Sequence, residues 1–156
     1  MSAGPVNYIC IKWGTYYSAD YVNKLYVSIR GKSRDIPRFF CLTDDAEGLH
    51  PDIEARKLVE QPYEREMAET QARTLKPKGA LRKIAMFDPA LFRDTAGPVI
   101  ALDIDILVLE PLEDLARFAP GKVCMRKPFD DFRVPKTFGE GSVIKFEPDK
   151  HAFLYE

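Results

Sequence analysis

Apolar residues fall along this chain in short runs divided by polar stretches, and the spacing inside each run predicts its conformation. Val6 to Lys12 is a β-rich run ending at Trp13-Gly14, where glycine lets the chain turn, and it predicts a first strand. Ser18 then offers an N-cap for a helix over Ala19 to Arg30, with Tyr21 and Leu25 at helical spacing and Val22, Val27 and Ile29 as further apolar positions. Arg38 to Leu42 predicts a second strand that stops at Thr43-Asp44-Asp45, and Gly48 and Pro51 mark the loop beyond it. Ile53 to Val59 predicts a weaker third strand. From Glu60 to Lys78 the sequence is polar without a persistent apolar stripe, which predicts a long excursion holding a turn or two of helix.

The second half begins with Leu81, Ile84, Ala85 and Phe87, a short amphipathic helix that Asp88-Pro89 should end. Gly97-Pro98 introduces Val99 to Leu102, the most apolar strand, and Asp103-Ile104-Asp105 follows at once. Ile106 to Leu109 should continue extended, Leu112 to Phe118 should form a short helix, and Lys122 to Met125 and Ser142 to Phe146 should form later strands. Pro148 should open a last helix near Asp149. Strands alternating with helices predict an α/β sheet, whose ligands gather at the carboxyl ends of the strands. At 156 residues the default is one domain over 1–156.

Charge narrows the choice of ligand. Lys and Arg number 23 against 24 Asp and Glu, so no global field favours nucleic acid or an anionic membrane, and a phosphate must be held locally. No run of about 18 apolar residues and no basic leader occurs, which predicts a cytoplasmic protein without a transmembrane segment. Cys10, Cys41 and Cys124 lie in apolar runs without metal-ligand spacing, so buried free thiols in a reducing compartment are expected. Neither a Walker loop nor a GxGxxG turn is present.

Asp103 and Asp105 are the sharpest chemical feature. In extended backbone side chains alternate, which sends both acids to one side and Ile104 back into the core. Carboxylates brought together after an apolar strand repel unless a cation lies between them, and oxygen ligands of this kind suit Mn2+ or Mg2+. The competing reading is that one aspartate caps a turn or the helix at Leu112 while the other is solvated.

The run Val99-Ile100-Ala101-Leu102-Asp103-Ile104-Asp105-Ile106-Leu107-Val108, followed by Pro111-Leu112-Glu113-Asp114-Leu115, resembles the D-x-D segment of GT-A glycosyltransferases. Ile11-Lys12-Trp13-Gly14 with Tyr17 and Tyr21 to Tyr26, then Phe40 to Asp45 with Gly48-Leu49, is similar to the opening of a bacterial branch related to the glycogenin-like enzymes. That resemblance implies a GT-A fold, a mostly parallel sheet flanked by helices, and a chain that stops short of the family's C-terminal part. It implies transfer of a sugar from a nucleotide-diphosphate donor, a UDP-sugar foremost, to a hydroxyl acceptor such as a glycan, weakly with retention of configuration. Lys12, Trp13, Gly14 and Tyr17 would then meet the nucleoside, Lys83 the sugar diphosphate, and Asp103, Ile104 and Asp105 the cation and donor, with Asp103 and Asp105 as metal ligands.

Each residue keeps a plainer alternative: core packing for Trp13 and Tyr17, a solvated helix face for Lys83, with Arg82 or Lys78 able to replace it, and strand-end capping for Asp44 and Asp45. Gly139-Glu140-Gly141 replaces a polar turn usual in relatives, and the third metal ligand that such enzymes draw from their C-terminal part is missing. His50 and His151 are expected at the surface. Two rival functions stand beside sugar transfer: a truncated domain that binds a nucleotide sugar without turnover, and a haloacid-dehalogenase-like phosphatase with Asp103 as nucleophile.

Overall fold

The computed structural model describes residues 6–61, 64, 80–128 and 139–155. Among them a six-stranded sheet forms in the order β3-β2-β1-β4-β6-β5. The strands are β1 Asn7–Lys12, β2 Arg38–Thr43, β3 Ile53–Lys57, β4 Val99–Leu102, β5 Cys124–Arg126 and β6 Glu140–Phe146. β1 pairs in parallel with β2 and β4, and β2 with β3. β6 runs antiparallel to β4, and β5 antiparallel to β6, so the expected mostly parallel α/β sheet carries an antiparallel wing.

Every residue of β1 and β4 is buried, as a strand covered on both faces requires. Alternate side chains serve two clusters. Tyr8 and Cys10 pack with Val22, Leu25, Tyr26 and Ile29 of helix α1, Ala19–Lys32. Ile9 and Ile11 pack on the opposite face with Ala85, Met86, Phe92 and Phe146. Ser18 stands at the α1 N-cap in extended backbone, yet its side chain makes no capping bond. Packing of one apolar face therefore holds the helix in place of the expected cap.

Several expected elements change form. The amphipathic segment ending at Phe87 is a 3-10 helix, Ala80–Phe87. Asp88 ends it and also opens a second 3-10 turn, Pro89–Phe92, by accepting from the Ala90 N–H at 2.8 Å. Ile106 to Leu109 joins no strand: Val108 is buried while Leu107 and Leu109 face solvent. α2 covers Glu113–Arg117, shorter at both ends than expected. The helix expected after Pro148 is a turn followed by a 3-10 segment, Ala152–Leu154.

His151 explains that last difference. Its Nδ1 accepts the Glu147 N–H at 2.9 Å and its Nε2 lies 3.2 Å from the Gly121 carbonyl oxygen, so the ring is buried rather than at the surface. Cys10 and Cys41 face each other in register on β1 and β2, both buried and free, and burial pushes the Cys10 thiol well above its ordinary pKa. Cys124 is half-buried instead of enclosed. Most of the Glu60 to Lys78 excursion lies outside the described residues. Among the described residues no helix is long and apolar enough to cross a membrane.

Ion pairs fasten the sheet edges. Arg38 bonds Glu54 at 2.5 and 2.9 Å and Asp94 at 2.7 Å, while Arg56 reaches Glu54 at 3.2 Å. Both guanidinium carbons lie 4.9 Å from the Phe40 ring centre. The Arg38 bond holds the Asp94 carboxyl below its ordinary pKa, and Lys150 followed by the Gly121 N–H does the same for Glu147. A carboxyl depressed in the folded state stabilises fully above its unfolded pKa and loses that effect as pH falls through the folded value. The thermal midpoint is therefore expected to drop between about pH 5 and pH 2, and to drop less in the Asp94→Asn/Glu147→Gln double variant. Equal slopes in melts of the two proteins would show that these carboxyls do not carry the acid response.

Candidate functional site

β1 and β4 are parallel neighbours, so their carboxyl ends open side by side. The register sets Cys10 against Leu102, which leaves Ile11-Lys12 and Asp103 onward on the same edge. A cavity of about 580 Å3 opens there. One wall is Ile11 and Lys12 with Trp13, Tyr16 and Tyr17 of the following loop; the other is Lys83 with Asp103, Ile104 and Asp105.

Both acids face this cavity, and Ile104 is buried at 8% exposure, as alternation predicts. The backbone reaches that result differently. β4 ends at Leu102, the Asp103 N–H adds one more bond toward β6 by donating to the Ser142 carbonyl at 3.0 Å, and Ile104-Asp105 then turns. Ile104 also contributes to the cavity wall.

Each acid has a protein partner. The Lys83 ammonium pairs with Asp103 Oδ1, so Lys83 belongs to the site and not to a solvated face. Arg82 turns elsewhere: it pairs with Glu64 at 2.8 Å and lies 5.9 Å from the Trp13 ring centre. Lys78 lies outside the described residues. The Tyr17 hydroxyl donates to Asp105 Oδ2 at 3.1 Å, and that bond raises the phenol's pKa.

The loop between β1 and α1 is fixed from below. Gly14 adopts a φ of 60°, and its N–H donates to both Asp44 oxygens, at 3.0 and 3.2 Å. Gly14 is not among the residues lining the cavity; it forms the turn that precedes Tyr16 and Tyr17. Asp44 secures that turn, and Asp45 accepts the Glu47 N–H at 2.9 Å, so both serve the strand end. Lys12 is only 4% exposed, and its ammonium donates to the Asp45 carbonyl at 3.2 Å. Trp13 is half-buried, packed against the cluster of Ile9 and Ile11 while also lining the cavity.

Ile11 and Tyr16, the latter exposed at 86%, line the cavity without having been named as site residues from the sequence. The adjacent Tyr16-Tyr17 pair after the glycine turn was the available signal. His50 and His151 stand apart from the cavity. Gly139, on the departure noted in the sequence, has a packing reason: a Cβ there would lie 2.7 Å from Met125 Cβ. Among the described residues no three His, Cys, Asp or Glu side chains cluster to hold a metal. Asp103 and Asp105 are the carboxylates that line the cavity, and oxygen groups of this kind suit a hard divalent cation that takes its remaining ligands from water and phosphate.

No family model and no curated protein matches the sequence. Solved structures do match the fold. One is the galactosyltransferase LgtC in complex with donor and acceptor sugar analogs, with a TM-score of 0.61 at 13% identity over 94% of this chain. Another is the apo-form glycosyltransferase GlyE of Streptococcus pneumoniae TIGR4, with a TM-score of 0.53 at 14% identity over 96% of this chain. The chain spans 59% of the LgtC chain and 36% of the GlyE chain. It has the α/β fold of these glycosyltransferases, which is the GT-A fold expected from the sequence.

Proposed function

We propose that this chain binds a nucleotide-diphosphate sugar through a divalent cation, Mn2+ or Mg2+, held by Asp103 and Asp105, and forms the donor-binding part of a glycosyltransferase related to the glycogenin-like branch. The supporting observation is that both acids turn into one cavity at the carboxyl ends of β1 and β4. Such a cation supplies charge neutralisation on a departing nucleoside diphosphate. Lys83 pairs with Asp103, and its ammonium on the same cavity wall would serve the donor's phosphates. Trp13, Tyr16 and Tyr17 offer ring faces to a base, and buried Lys12 offers N–H donors to its carbonyl oxygens or to phosphate.

Calorimetric titration with UDP and UDP-sugars is expected to show binding with Mn2+ and none with EDTA. Asp103→Ala and Asp105→Ala should each weaken it more than about 100-fold, since even outer-shell changes at metal sites cost 10- to 100-fold. Unchanged affinity in both variants would remove the cation role. Release of free sugar or transfer to a hydroxyl acceptor would extend the assignment to the whole reaction. Binding without either would confine it to the donor half.

A further inference from the structure

The geometry points to Tyr17 as a positioning residue for Asp105, its hydroxyl fixing the carboxylate that receives the cation and tying that ligand to the loop that walls the nucleotide cavity. The inference rests on the cation reading above.

Asp103 and Asp105 are not held alike. Asp103 has a charged partner, Lys83, supplied by the 3-10 helix across the sheet. Asp105 is exposed on a turn, beyond the last strand bond, and its hydrogen bond in the structure comes from Tyr17, 88 residues earlier. A carboxylate on a turn samples several rotamers unless something limits it, and each lost rotamer costs entropy when a cation binds. Tyr17 takes Oδ2, which leaves Oδ1 for a cation and sets the plane of the carboxylate.

The phenol is itself locked. Tyr16 packs edge-on against the Tyr17 ring with centroids 4.8 Å apart and planes at 84°, and Tyr21 packs from α1 at 4.9 Å and 71°. Edge-to-face pairs at such separations are favourable and orient a ring. Gly14 and Asp44 fix the turn that begins this loop. The hydroxyl thus arrives at Asp105 from a braced frame. Outer-shell groups of this kind orient metal ligands and commonly govern 10- to 100-fold in affinity. Because the same loop carries Trp13 and Tyr16 into the cavity, ordering by a cation at Asp105 and ordering by a nucleotide act on one segment, and each should strengthen the other.

Tyr17→Phe keeps the ring and its packing while deleting the hydroxyl. Titration of the full chain with Mn2+ alone, followed by electron paramagnetic resonance of the free ion, is expected to give an affinity lower by about tenfold or more, at an unchanged melting temperature. UDP titrated at saturating Mn2+ should also bind Tyr17→Phe more weakly than the parent, because the hydroxyl that couples the cation ligand to the nucleotide loop is gone. Mn2+ affinity unchanged in Tyr17→Phe but lost in Asp105→Ala would overturn the positioning role and leave the cation site standing. Unchanged affinity in Asp105→Ala as well would overturn the site and the role with it.

Discussion

Phe146→Ala is expected to lower the free energy of unfolding by about 3–5 kcal/mol. Phe146 is fully buried, with the Phe87 ring centre at 4.8 Å and the Phe92 ring centre at 5.8 Å, and it stands opposite Val99 at the start of β4. Truncation removes a large side chain from between the sheet and the 3-10 layer, and neighbours anchored to strands on one side cannot collapse fully into the gap. Domains of this size hold about 5–15 kcal/mol in total, so the variant should approach the limit of folding. Function should suffer too, because β6 flanks β4 and its Ser142 carbonyl holds the Asp103 N–H at 3.0 Å. Urea denaturation measures the loss, with Phe153→Ala, exposed at 64%, as a control expected to change by less than about 0.5 kcal/mol. A loss below about 1 kcal/mol for Phe146→Ala would show that this cluster does not bind the two layers together.

The parts of this fold that follow from local pattern were legible in the sequence, and those that follow from long-range contacts were not. β4 spans Val99–Leu102 as the apolar run predicts, and α1 begins at Ala19 as its spacing predicts. That Asp103 and Asp105 share a cavity agrees with the alternation reading in outcome, although a turn at Ile104-Asp105 and not continued strand produces it. Their partners were not legible locally: Lys83 and Tyr17 reach the acids from 20 and 88 residues away, and only the tertiary fold brings them there. His151 carries the same lesson. In sequence it reads as polar residue near a proline, whereas in the fold Glu147 and Gly121 satisfy both ring nitrogens and draw it inside. At Ile106 to Leu109, expected to be extended, the segment joins no strand among the described residues, and Leu107 and Leu109 face solvent while Val108 is buried.

Lys145→Met is expected to destabilise the chain by about 2–4 kcal/mol even though it replaces a fully buried charge with an apolar side chain of similar length. Removing a buried charge can stabilise a protein when its partners leave with it. Here they stay. The ammonium donates to the Ala119 and Lys122 carbonyls at 3.0 Å each and lies 3.7 Å from Glu147. Those carbonyls belong to a tight loop in which Ala119 and Gly121 adopt φ values of 44° and 74°, so the loop has little freedom to find other donors. Glu147 keeps Lys150 at 2.5 Å and the Gly121 N–H at 2.6 Å, which limits the loss at the carboxylate and places most of it at the loop. Lys150→Met, at an exposed position, should cost less than about 1 kcal/mol and separates the two contributions. Chemical denaturation of both variants decides the matter: a neutral or stabilising Lys145→Met would mean that burial of the charge outweighs its two carbonyl bonds, and that another force closes the loop onto β6.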